Sequence, residues 1–463
     1  MRKNALVTRV GIIGGGPGGY EAALVAAQLG AEVSLVDSGG LGGSCVLTDC
    51  VPSKTLIATA ELMTRLRGAQ TLGVELPGPA TVDLAAVNKR VKDLASAQSV
   101  DIAERLRAEG VRLFHGHGRL ATGDRIEVHS GVDAGAEFIA DVALIATGAS
   151  PRTLPDAVPD GERILTWEQL YELSDLPEHL IVVGSGVTGA EFASAYHALG
   201  SRVTLVSSRQ RVLPGEDADA AAVLEEVFAT RGMQVLGLSR AQSVRRDGDS
   251  VHVQLTDGTV IEGTHCLLAV GSTPNTKDLG LEACGIATDE GGFVRVDKVS
   301  RTSARGVYAA GDCTGVLMLA SVAAMQGRIA MWHALGDAVA PLDPALVSST
   351  VFTDPEIATV GATQEDIDSG RVDGRALTLP LATNARAKMQ VLGHGFVKIF
   401  CRPSTGIVIG GVVVAPSASE LIYPIAMAVE ERLTVDDLTH SFTVYPSLSG
   451  SIAEAARQLH TRG

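Results

Sequence analysis

The sequence is short of cysteines, basic side chains and long apolar runs, and each shortage excludes a class of protein. Six cysteines in 463 residues are too few for a disulfide scaffold. The formal net charge of −15, with no stripe of Lys and Arg, argues against nucleic acid as a partner. No apolar stretch reaches membrane-spanning length, and glycines interrupt the apolar run of residues 1–20, which makes a signal peptide a poor fit. We therefore expect a cytoplasmic protein without integral membrane association.

The residues that are plentiful indicate α/β architecture. A hydrophobic fraction of 46% with 52 glycines and only 4% aromatic residues suits aliphatic strands and closely packed helices. A chain of this length exceeds one ordinary hydrophobic core. We therefore expect two or three domains.

A phosphate-binding turn follows the first predicted strand. The apolar residues 10–13 lead into the sequence GGGPGG at residues 14–19, and an alanine-rich segment predicted to be helical up to Leu29 comes next. This order of elements suits a turn in which each glycine has its own function. The three functions are a tight turn at Gly14, close approach of the backbone to a pyrophosphate at Gly16, and close packing of helix on strand at Gly19.

The turn has an acidic partner and a second copy. A strand predicted at residues 32–36 is followed by Asp37, whose carboxylate suits the hydroxyls of a ribose. Residues 180–183 and the sequence GSGVTG at 184–189 repeat the strand and the turn. The corresponding glycines of the second copy are Gly184, Gly186 and Gly189. Two dinucleotide sites are therefore predicted.

The second copy lacks the acidic residue. After a strand predicted at residues 202–206, the position that matches Asp37 is Ser207, and Ser208, Arg209 and Arg211 follow. A carboxylate there would repel a 2′-phosphate, whereas hydroxyls and a guanidinium bind one. The second site is thus expected to accept NADPH as well as NADH. The alternative is that both arginines are solvated surface charges.

Cys45 and Cys50 lie soon after the first nucleotide-binding turn and are interpreted as a redox couple. In an ideal helix their Cα atoms would be roughly 8 to 9 Å apart, whereas a disulfide needs about 4.4 to 6.8 Å. A loop or a distorted first turn must therefore bring them together, with Pro52 suited to start the next helix. No metal site is predicted, because no second pair of ligands accompanies them. The other cysteines are scattered singles: Cys266, Cys284, Cys313 and Cys401.

Later segments indicate a third cofactor contact and a third domain. A strand predicted near residues 302–312 ends at Asp312, an acid that suits a cofactor polyol. From about Pro341 the composition changes, and residues 395–401 and 407–415 read as strands. The C-terminal part is therefore expected to be an α+β domain.

Together these motifs resemble the flavoprotein disulfide reductases, the class I pyridine nucleotide-disulfide oxidoreductases, and the resemblance covers essentially the whole chain. It rests on both glycine turns, the cysteine segment, residues 146–148, Gly271 with residues 274–275, the strand ending at Asp312, and the sequence FTDPEI at 352–357. The resemblance implies FAD in the first fold, NADPH or NADH in the second, and a homodimer.

The implied fold is α/β, with two Rossmann-like dinucleotide-binding domains and a C-terminal α+β dimerisation domain. The expected bounds are residues 1–150 and 280–345 for FAD, 151–279 for NAD(P) and 346–463 for the dimer interface.

The resemblance also implies functions for individual residues. Cys50 would lie against the flavin, and Cys45 would meet the substrate. Lys54 would pair with Glu191 close to the flavin N5, which suits an otherwise costly buried ion pair. The further cofactor contacts that it implies are Gly43, Ser44, Lys54, Gly118, Thr147, Gly148, Gly271, Asp312, Met318, Leu319, Ala320 and Ser321.

The sequence departs from the family where disulfide chemistry needs a base. The family has His-x-His-Pro-[Thr/Ser]-x-x-Glu, but residues 443–450 read TVYPSLSG, with Tyr445 in place of the catalytic histidine and Gly450 in place of the glutamate. Tyrosine titrates at about 10, and loss of a general acid–base typically costs about 10² to 10⁴ in rate. His440 is interpreted as a surface histidine.

We therefore expect an FAD-dependent NAD(P)H oxidoreductase that passes electrons to a quinone-type small molecule, with Tyr445 at the active site. The sequence is similar to the dihydrolipoamide dehydrogenase-like branch with NAD(P)H:quinone reductase activity. The alternative is dihydrolipoamide dehydrogenase or another NAD(P)H-dependent disulfide reductase, which the intact cysteines favour. Mercuric reductase, soluble transhydrogenase and a non-catalytic redox sensor are lower alternatives.

Overall fold

The structure is a computed structural model that describes residues 7–460. Residues 1–6 and 461–463, which include the start of the segment weighed above as a signal peptide, lie outside the described residues. The chain divides into two units, the first comprising Met1–Thr55, Ala86–Arg152 and Gly271–Asp343, and the second comprising Leu56–Ala85, Thr153–Val270 and Pro344–Gly463. The division into three domains stays a prediction. Within residues 7–460, none of the helices combines the length and the apolar character required to cross a bilayer.

The helices of the described residues alternate with strands in the first two thirds of the chain and cluster near its end. They are α1 Pro17–Gln28, α2 Gly43–Leu47, α3 Cys50–Arg67, α4 Leu84–Ala108, α5 Val187–Leu199, α6 Ala218–Thr230, α7 Ala320–Ala334, α8 Gln364–Asp368, α9 Ala385–Met389, α10 Ala418–Leu421, α11 Tyr423–Glu430, α12 Val435–His440 and α13 Gly450–Leu459.

The strands of the same residues are mostly short. They are β1 Arg9–Ile13, β2 Glu32–Asp37, β3 Arg112–His115, β4 His117–Thr122, β5 Arg125–Ser130, β6 Glu137–Ile139, β7 Val142–Ile145, β8 Ala149–Pro151, β9 Ile164–Leu165, β10 His179–Val183, β11 Arg202–Val206, β12 Gln234–Leu236, β13 Ala241–Asp247, β14 Ser250–Leu255, β15 Val260–Gly263, β16 His265–Leu268, β17 Ser272–Pro274, β18 Val307–Ala309, β19 Ser349–Val351, β20 Glu356–Gly361, β21 Arg375–Pro380, β22 Phe396–Cys401 and β23 Val408–Ala415.

The first unit is built on a parallel sheet with the strand order β18-β7-β1-β2-β3. Strand β1 is almost wholly buried, as expected for an aliphatic strand of a parallel sheet whose faces are both covered. Helix α1 packs against α7 with backbone contact, because a Cβ built on Gly327 would lie 2.1 Å from the carbonyl oxygen of Gly18. The strand and helix predicted on either side of the first glycine turn are confirmed as β1 and α1. An antiparallel sheet, β4-β5-β6, and the pair β8-β17 complete this unit.

The second unit repeats this plan with a parallel sheet of order β12-β11-β10-β16-β9. Strand β10 is buried at every position and leads into helix α5 through the second glycine turn. The strands predicted at residues 180–183 and 202–206 are confirmed as β10 and β11. The sequence repeat thus folds into a second strand–turn–helix of the same kind.

The second unit also contains an antiparallel sheet of order β19-β20-β23-β22-β21. Its core includes Val397, Ile399 and Val413 from the two central strands and Ile452 from α13. Strands β22 and β23 confirm the two strands predicted near the C-terminus, and their mixture with short helices confirms the α+β character of this part.

Candidate active site

The first glycine turn leaves open space beside the start of α1. Gly14 has φ 103°, and a Cβ there would lie 2.2 Å from the carbonyl oxygen of Ala146, so a side chain is excluded. A Cβ on Gly19 would lie 1.9 Å from the carbonyl oxygen of Gly14. Gly16, the residue that precedes α1, is different, because a Cβ there would have Gly43 Cα, at 4.0 Å, as its nearest neighbour. This space at a helix N-terminus suits a pyrophosphate.

Asp37 ends β2 and is held in place by backbone donors. One of its carboxylate oxygens accepts a hydrogen bond from the N–H of Gly15 at 2.7 Å. The other accepts from the N–H groups of Gly39 at 2.9 Å and Gly40 at 2.6 Å. A carboxylate has about four acceptor positions, so Asp37 retains capacity for ribose hydroxyls.

A cavity of about 630 Å³ opens beside Asp37 within the first unit. Gly118, Thr147, Asn275 and Lys277 are among the residues that line it. The Thr147 hydroxyl donates to the carbonyl oxygen of Asn275 at 2.7 Å, which closes one wall of the cavity. The volume lies within the range of about 300 to 1,000 Å³ that is usual for ligand pockets. The cavity therefore fits the adenosine half of FAD.

A break between α2 and α3 brings Cys45 and Cys50 together. The N–H groups of Thr48 and Asp49 both donate to the carbonyl oxygen of Ser44, so the chain turns before α3 begins at Cys50. The Cys50 thiol donates a hydrogen bond to the sulfur of Cys45, and both are free thiols. This turn agrees with the expectation that a loop, and not a continuous helix, joins the pair.

The surroundings of the two thiols shift their pKa values in opposite directions. The hydrogen bond from Cys50 lowers the pKa of Cys45, and the nearby Lys54 acts in the same direction, against burial and the charges of Asp49 and Asp312. The same hydrogen bond, together with burial, raises the pKa of Cys50. Cys45 is therefore the thiol of the pair that gives up its proton more readily. In the part of the chain that the structure describes, none of these perturbing groups is a histidine.

Asp312 follows β18, and burial raises the pKa of its carboxyl group. Its position is set by Gly311, whose N–H donates to the side-chain oxygen of Gln326 at 2.8 Å. Sequence reasoning missed Gln326, since a glutamine in the middle of α7 carries no motif. Four residues that are predicted to contact the cofactor lie just before α7 or at its start. Met318 and Ser321 are exposed, and Leu319 and Ala320 are partly buried.

Two further residues that are predicted to contact the cofactor lie in the segment that contains Cys45 and Cys50, and a third follows β7. Gly43 starts α2 with φ 57°, and a Cβ there would lie 2.8 Å from Gly16 Cα, so this segment approaches the phosphate-binding turn closely. Ser44 is exposed beside it. Gly148, which follows Thr147, has φ 70° and open space around it.

Lys54 and Glu191 each have a defined environment. Glu191 in α5 is only 3% exposed, and its Oε1 accepts a hydrogen bond from the N–H of Phe352 at 2.9 Å. Lys54 lies in α3 and lowers the pKa of both Cys45 and Cys50. Pairing of Lys54 with Glu191 stays a prediction.

The second glycine turn has nearly the same dimensions as the first. Gly184 has φ 114°, and a Cβ there would lie 2.1 Å from the carbonyl oxygen of Ala269. A Cβ on Gly189 would lie 1.9 Å from the carbonyl oxygen of Gly184, whereas one on Gly186 would meet no atom within 4 Å. The second unit therefore has open space at the start of α5 of the kind that suits a pyrophosphate. Gly271, with φ 99°, belongs to the first unit.

The polar residues of the loop after β11 fall into two groups, those that hydrogen-bond within the protein and those that are exposed. Ser207 is fully buried, and its hydroxyl bonds the hydroxyl of Ser185 at 2.7 Å and the N–H of Arg209 at 3.1 Å. Arg211 donates to two carbonyl oxygens of its own loop. Ser208 and Arg209 have exposed side chains. Ser207 and Arg211 thus hold the loop together, whereas Ser208 and Arg209 remain exposed.

Tyr445 lies between α12 and α13, in a segment that is neither helix nor strand. Its side chain is 85% exposed, and Phe442 and Val444 beside it are also largely exposed. Gly450 begins α13. His440, at the end of α12, is exposed, and its Nδ1 donates to the carbonyl oxygen of Asp436 at 2.8 Å. This histidine is therefore on the surface, as interpreted from the sequence, and it bonds within its own helix.

The fold and these sites define an FAD-dependent NAD(P)H oxidoreductase, and the chain belongs to the pyridine nucleotide-disulphide oxidoreductase family. The pattern of that family matches residues 8–327, and the pattern of its dimerisation domain matches residues 347–456. The resemblance drawn from the motifs is thereby confirmed.

Among its relatives, the chain is similar to an NAD(P)H dehydrogenase (quinone) from Mycobacterium tuberculosis, with 58% identity over 98% of this chain and 94% of that protein. It is 33% identical to dihydrolipoyl dehydrogenase 2 from Haloarcula marismortui, over 98% of each chain. The crystal structure of LpdA from Mycobacterium tuberculosis superposes with a TM-score of 0.94 at 58% identity, covering 98% of this chain and 100% of that one. The flavoprotein disulfide reductase RclA from Escherichia coli does so with a TM-score of 0.87 at 25% identity, covering 97% and 99%.

Proposed function

We propose that this enzyme is a cytoplasmic homodimer that uses NAD(P)H to reduce a quinone-type acceptor, without a dithiol exchange step. The observation that carries the proposal is Tyr445 at the position where disulfide reductases have an imidazole. A phenol there is a poor acceptor for the proton of an attacking dithiol at neutral pH. The similar quinone dehydrogenase from Mycobacterium tuberculosis supports the same acceptor class.

FAD, when bound, supplies a hydride acceptor for NAD(P)H and an electron donor for the second substrate. The residues of this chain would hold it at three points. The first glycine turn would bind the pyrophosphate, Asp37 the adenosine ribose, and Asp312 the ribityl chain. Residues 1–150 and 280–345 would form this domain, residues 151–279 would bind NAD(P)H, and residues 346–463 would form the interface.

The homodimer would complete the active site with Tyr445 from the partner subunit. Phe442, Val444 and Tyr445 are exposed together in one chain, which is unfavourable for large apolar side chains unless another surface covers them. They lie within the part of the chain that matches the family's dimerisation domain. A second copy of this chain is therefore the expected cover.

The intact cysteine pair favours a second candidate function, the reduction of a small disulfide such as lipoamide. Cys45 carries the lowered pKa that a nucleophilic thiol needs, and Cys50 lies within hydrogen-bonding distance to resolve a mixed disulfide. In the proposed function the same pair is either an electron store or a vestige that quinone turnover does not need.

Steady-state turnover with a panel of acceptors separates the two candidates. We expect a soluble quinone to turn over at least about 10²-fold faster than lipoamide or glutathione disulfide, because the base is missing. Cys50→Ser should retain most of the quinone activity, and Cys284→Ser, which changes a partly buried cysteine elsewhere in the first unit, is the matched control. Equal turnover of quinone and lipoamide would favour the disulfide reductase, and loss of quinone turnover in Cys50→Ser would place the thiols on the electron route.

A further inference from the structure

Lys398 is a buried cation in the middle of an apolar strand. It lies in β22 with its side chain 1% exposed, and its Nζ is 5.6 Å from the ring centre of Phe396 and 6.0 Å from that of Phe400. A buried ammonium is unfavourable unless charge and hydrogen bonds compensate it. Both carboxylate oxygens of Asp217 accept from it, at 2.8 and 3.0 Å, and Asp219 accepts at 2.6 Å.

Asp217 connects this cation to the loop after β11. Asp217 is the N-cap of α6, and its Oδ1 accepts hydrogen bonds from the N–H groups of Asp219 and Ala220. Residues 207–216, which precede it directly, form the loop that carries the predicted 2′-phosphate contacts. Lys398 therefore contacts the residue at which this loop ends and α6 begins.

The second half of the loop also depends on α6. The N–H of Val212 donates to the Oε1 of Glu225, on α6, at 2.6 Å. The N–H of Leu213 donates to the carbonyl oxygen of Ser185, in the glycine turn, at 2.8 Å. A shift of α6 would therefore move the loop relative to the turn that is expected to bind the pyrophosphate.

We propose that Lys398 is a positioning residue for the choice between NADPH and NADH. Through Asp217 and α6 it holds the loop at the place where the adenosine ribose of the dinucleotide is expected, with Ser208 and Arg209 exposed to the 2′ position. The inference rests on the proposed NAD(P)H site in this unit. Neutralising the ion pair should loosen the loop and weaken contacts to a 2′-phosphate more than contacts to the rest of the nucleotide.

The test is a calorimetric titration of the FAD-loaded enzyme with 2′,5′-ADP and with 5′-AMP, two probes that need no electron acceptor. Asp217→Asn removes the charge but retains an N-cap residue, and Lys398→Met removes the cation at similar length. Asp249→Asn, at a carboxylate that is 94% exposed in the same unit, is the matched control. We expect both test variants to bind 2′,5′-ADP about tenfold more weakly, a change of about 1.4 kcal/mol, and 5′-AMP nearly as the wild type does. KM for NADPH should rise while kcat is maintained.

The outcomes that overturn the proposal are distinct from a failure of the cofactor site. Equal weakening of both ligands, or an unchanged ratio with a lower Tm, would give Lys398 a structural function only. A wild-type enzyme without preference for 2′,5′-ADP over 5′-AMP would refute the 2′-phosphate site itself, and this function of Lys398 with it. If Lys398→Met does not fold, Asp217→Asn and the milder Asp219→Asn, at a carboxylate that is 65% exposed, decide the question.

Discussion

Replacing Gly186 with Ala tests whether the second glycine turn binds the pyrophosphate of NAD(P)H. Gly186 has φ −72° and ψ −172°, which alanine adopts freely, and a Cβ there would meet no atom within 4 Å. The free energy of unfolding should therefore change by less than about 0.5 kcal/mol. A phosphate in contact with the backbone would have to retreat by about 1 Å, a displacement that costs on the order of 10²-fold. We expect kcat/KM to fall by about that factor with both NADH and NADPH.

A second alanine variant shows the loss of stability that is expected when the turn itself is distorted. At Gly189 the new Cβ would lie 1.9 Å from the carbonyl oxygen of Gly184, whereas carbon–oxygen contacts are normally about 3.3 Å or longer. The backbone must therefore shift by more than about 1 Å, and a shift of this kind destabilises a protein by about 1 to 3 kcal/mol. At about 2 to 4 °C for each kcal/mol, Tm should fall by about 2 to 12 °C.

The assay follows NADH and NADPH oxidation with a soluble quinone, alongside the FAD absorbance spectrum and Tm. Gly123→Ala is the control, because a Cβ there also meets no atom within 4 Å and the residue lies in the turn between β4 and β5, which is neither of the two glycine turns. FAD content should be normal in Gly186→Ala, since FAD is expected at the first turn. Wild-type kcat/KM in Gly186→Ala with both donors would refute the assignment of the second turn to the nicotinamide nucleotide.

Three further predictions concern the thiols, the missing base and the response to acid. Tyr445→His combined with Gly450→Glu should raise lipoamide turnover at least about tenfold, and unchanged turnover would mean that more than the base is absent. In the dithiol-reduced enzyme, iodoacetamide should label Cys45 before Cys50 near neutral pH, because the pKa of Cys45 is lowered by the hydrogen bond; peptide mass spectrometry that finds Cys50 labelled first would contradict this. Burial lowers the pKa of His265 to about 4, below the value of about 6.5 for an unfolded chain. Its contribution to stability is therefore complete above pH about 6.5 and declines as the pH falls towards about 4, by about 1 to 2 kcal/mol after allowance for solvent screening. Urea unfolding of the wild type and His265→Gln at both ends of this range measures the loss, and an identical pH dependence in the two proteins would contradict it.

The sequence was most informative where the backbone itself has a function. Only glycine fits at residues 14 and 184, where φ is positive and a Cβ would meet a carbonyl oxygen, so the motif alone located both turns. The strands and helices beside the turns were also predictable, because buried parallel strands need continuous aliphatic residues. The departure from the family at Tyr445 was also visible in the sequence, because it interrupts an ordered motif.

The sequence was least informative about side chains that act on each other across long separations. Ser207 was expected to meet a phosphate, yet in the fold it is buried against Ser185. Lys398 belongs to none of the sequence motifs, and its partner Asp217 lies 181 positions away along the chain. Spacing along the chain carries no information about such pairs.

The amino-acid sequence by itself determined the family, the two glycine turns and the absence of an imidazole at residue 445, because these depend on residue types at fixed local spacing. Only the tertiary structure decided that the pKa of Cys45 is lowered and that of Cys50 raised, that Ser207 is withdrawn from solvent and that Lys398 pairs with Asp217 at the start of α6. The physical reason is that proton affinity and burial depend on which groups the fold brings within a few ångströms, and chain order does not specify those distances.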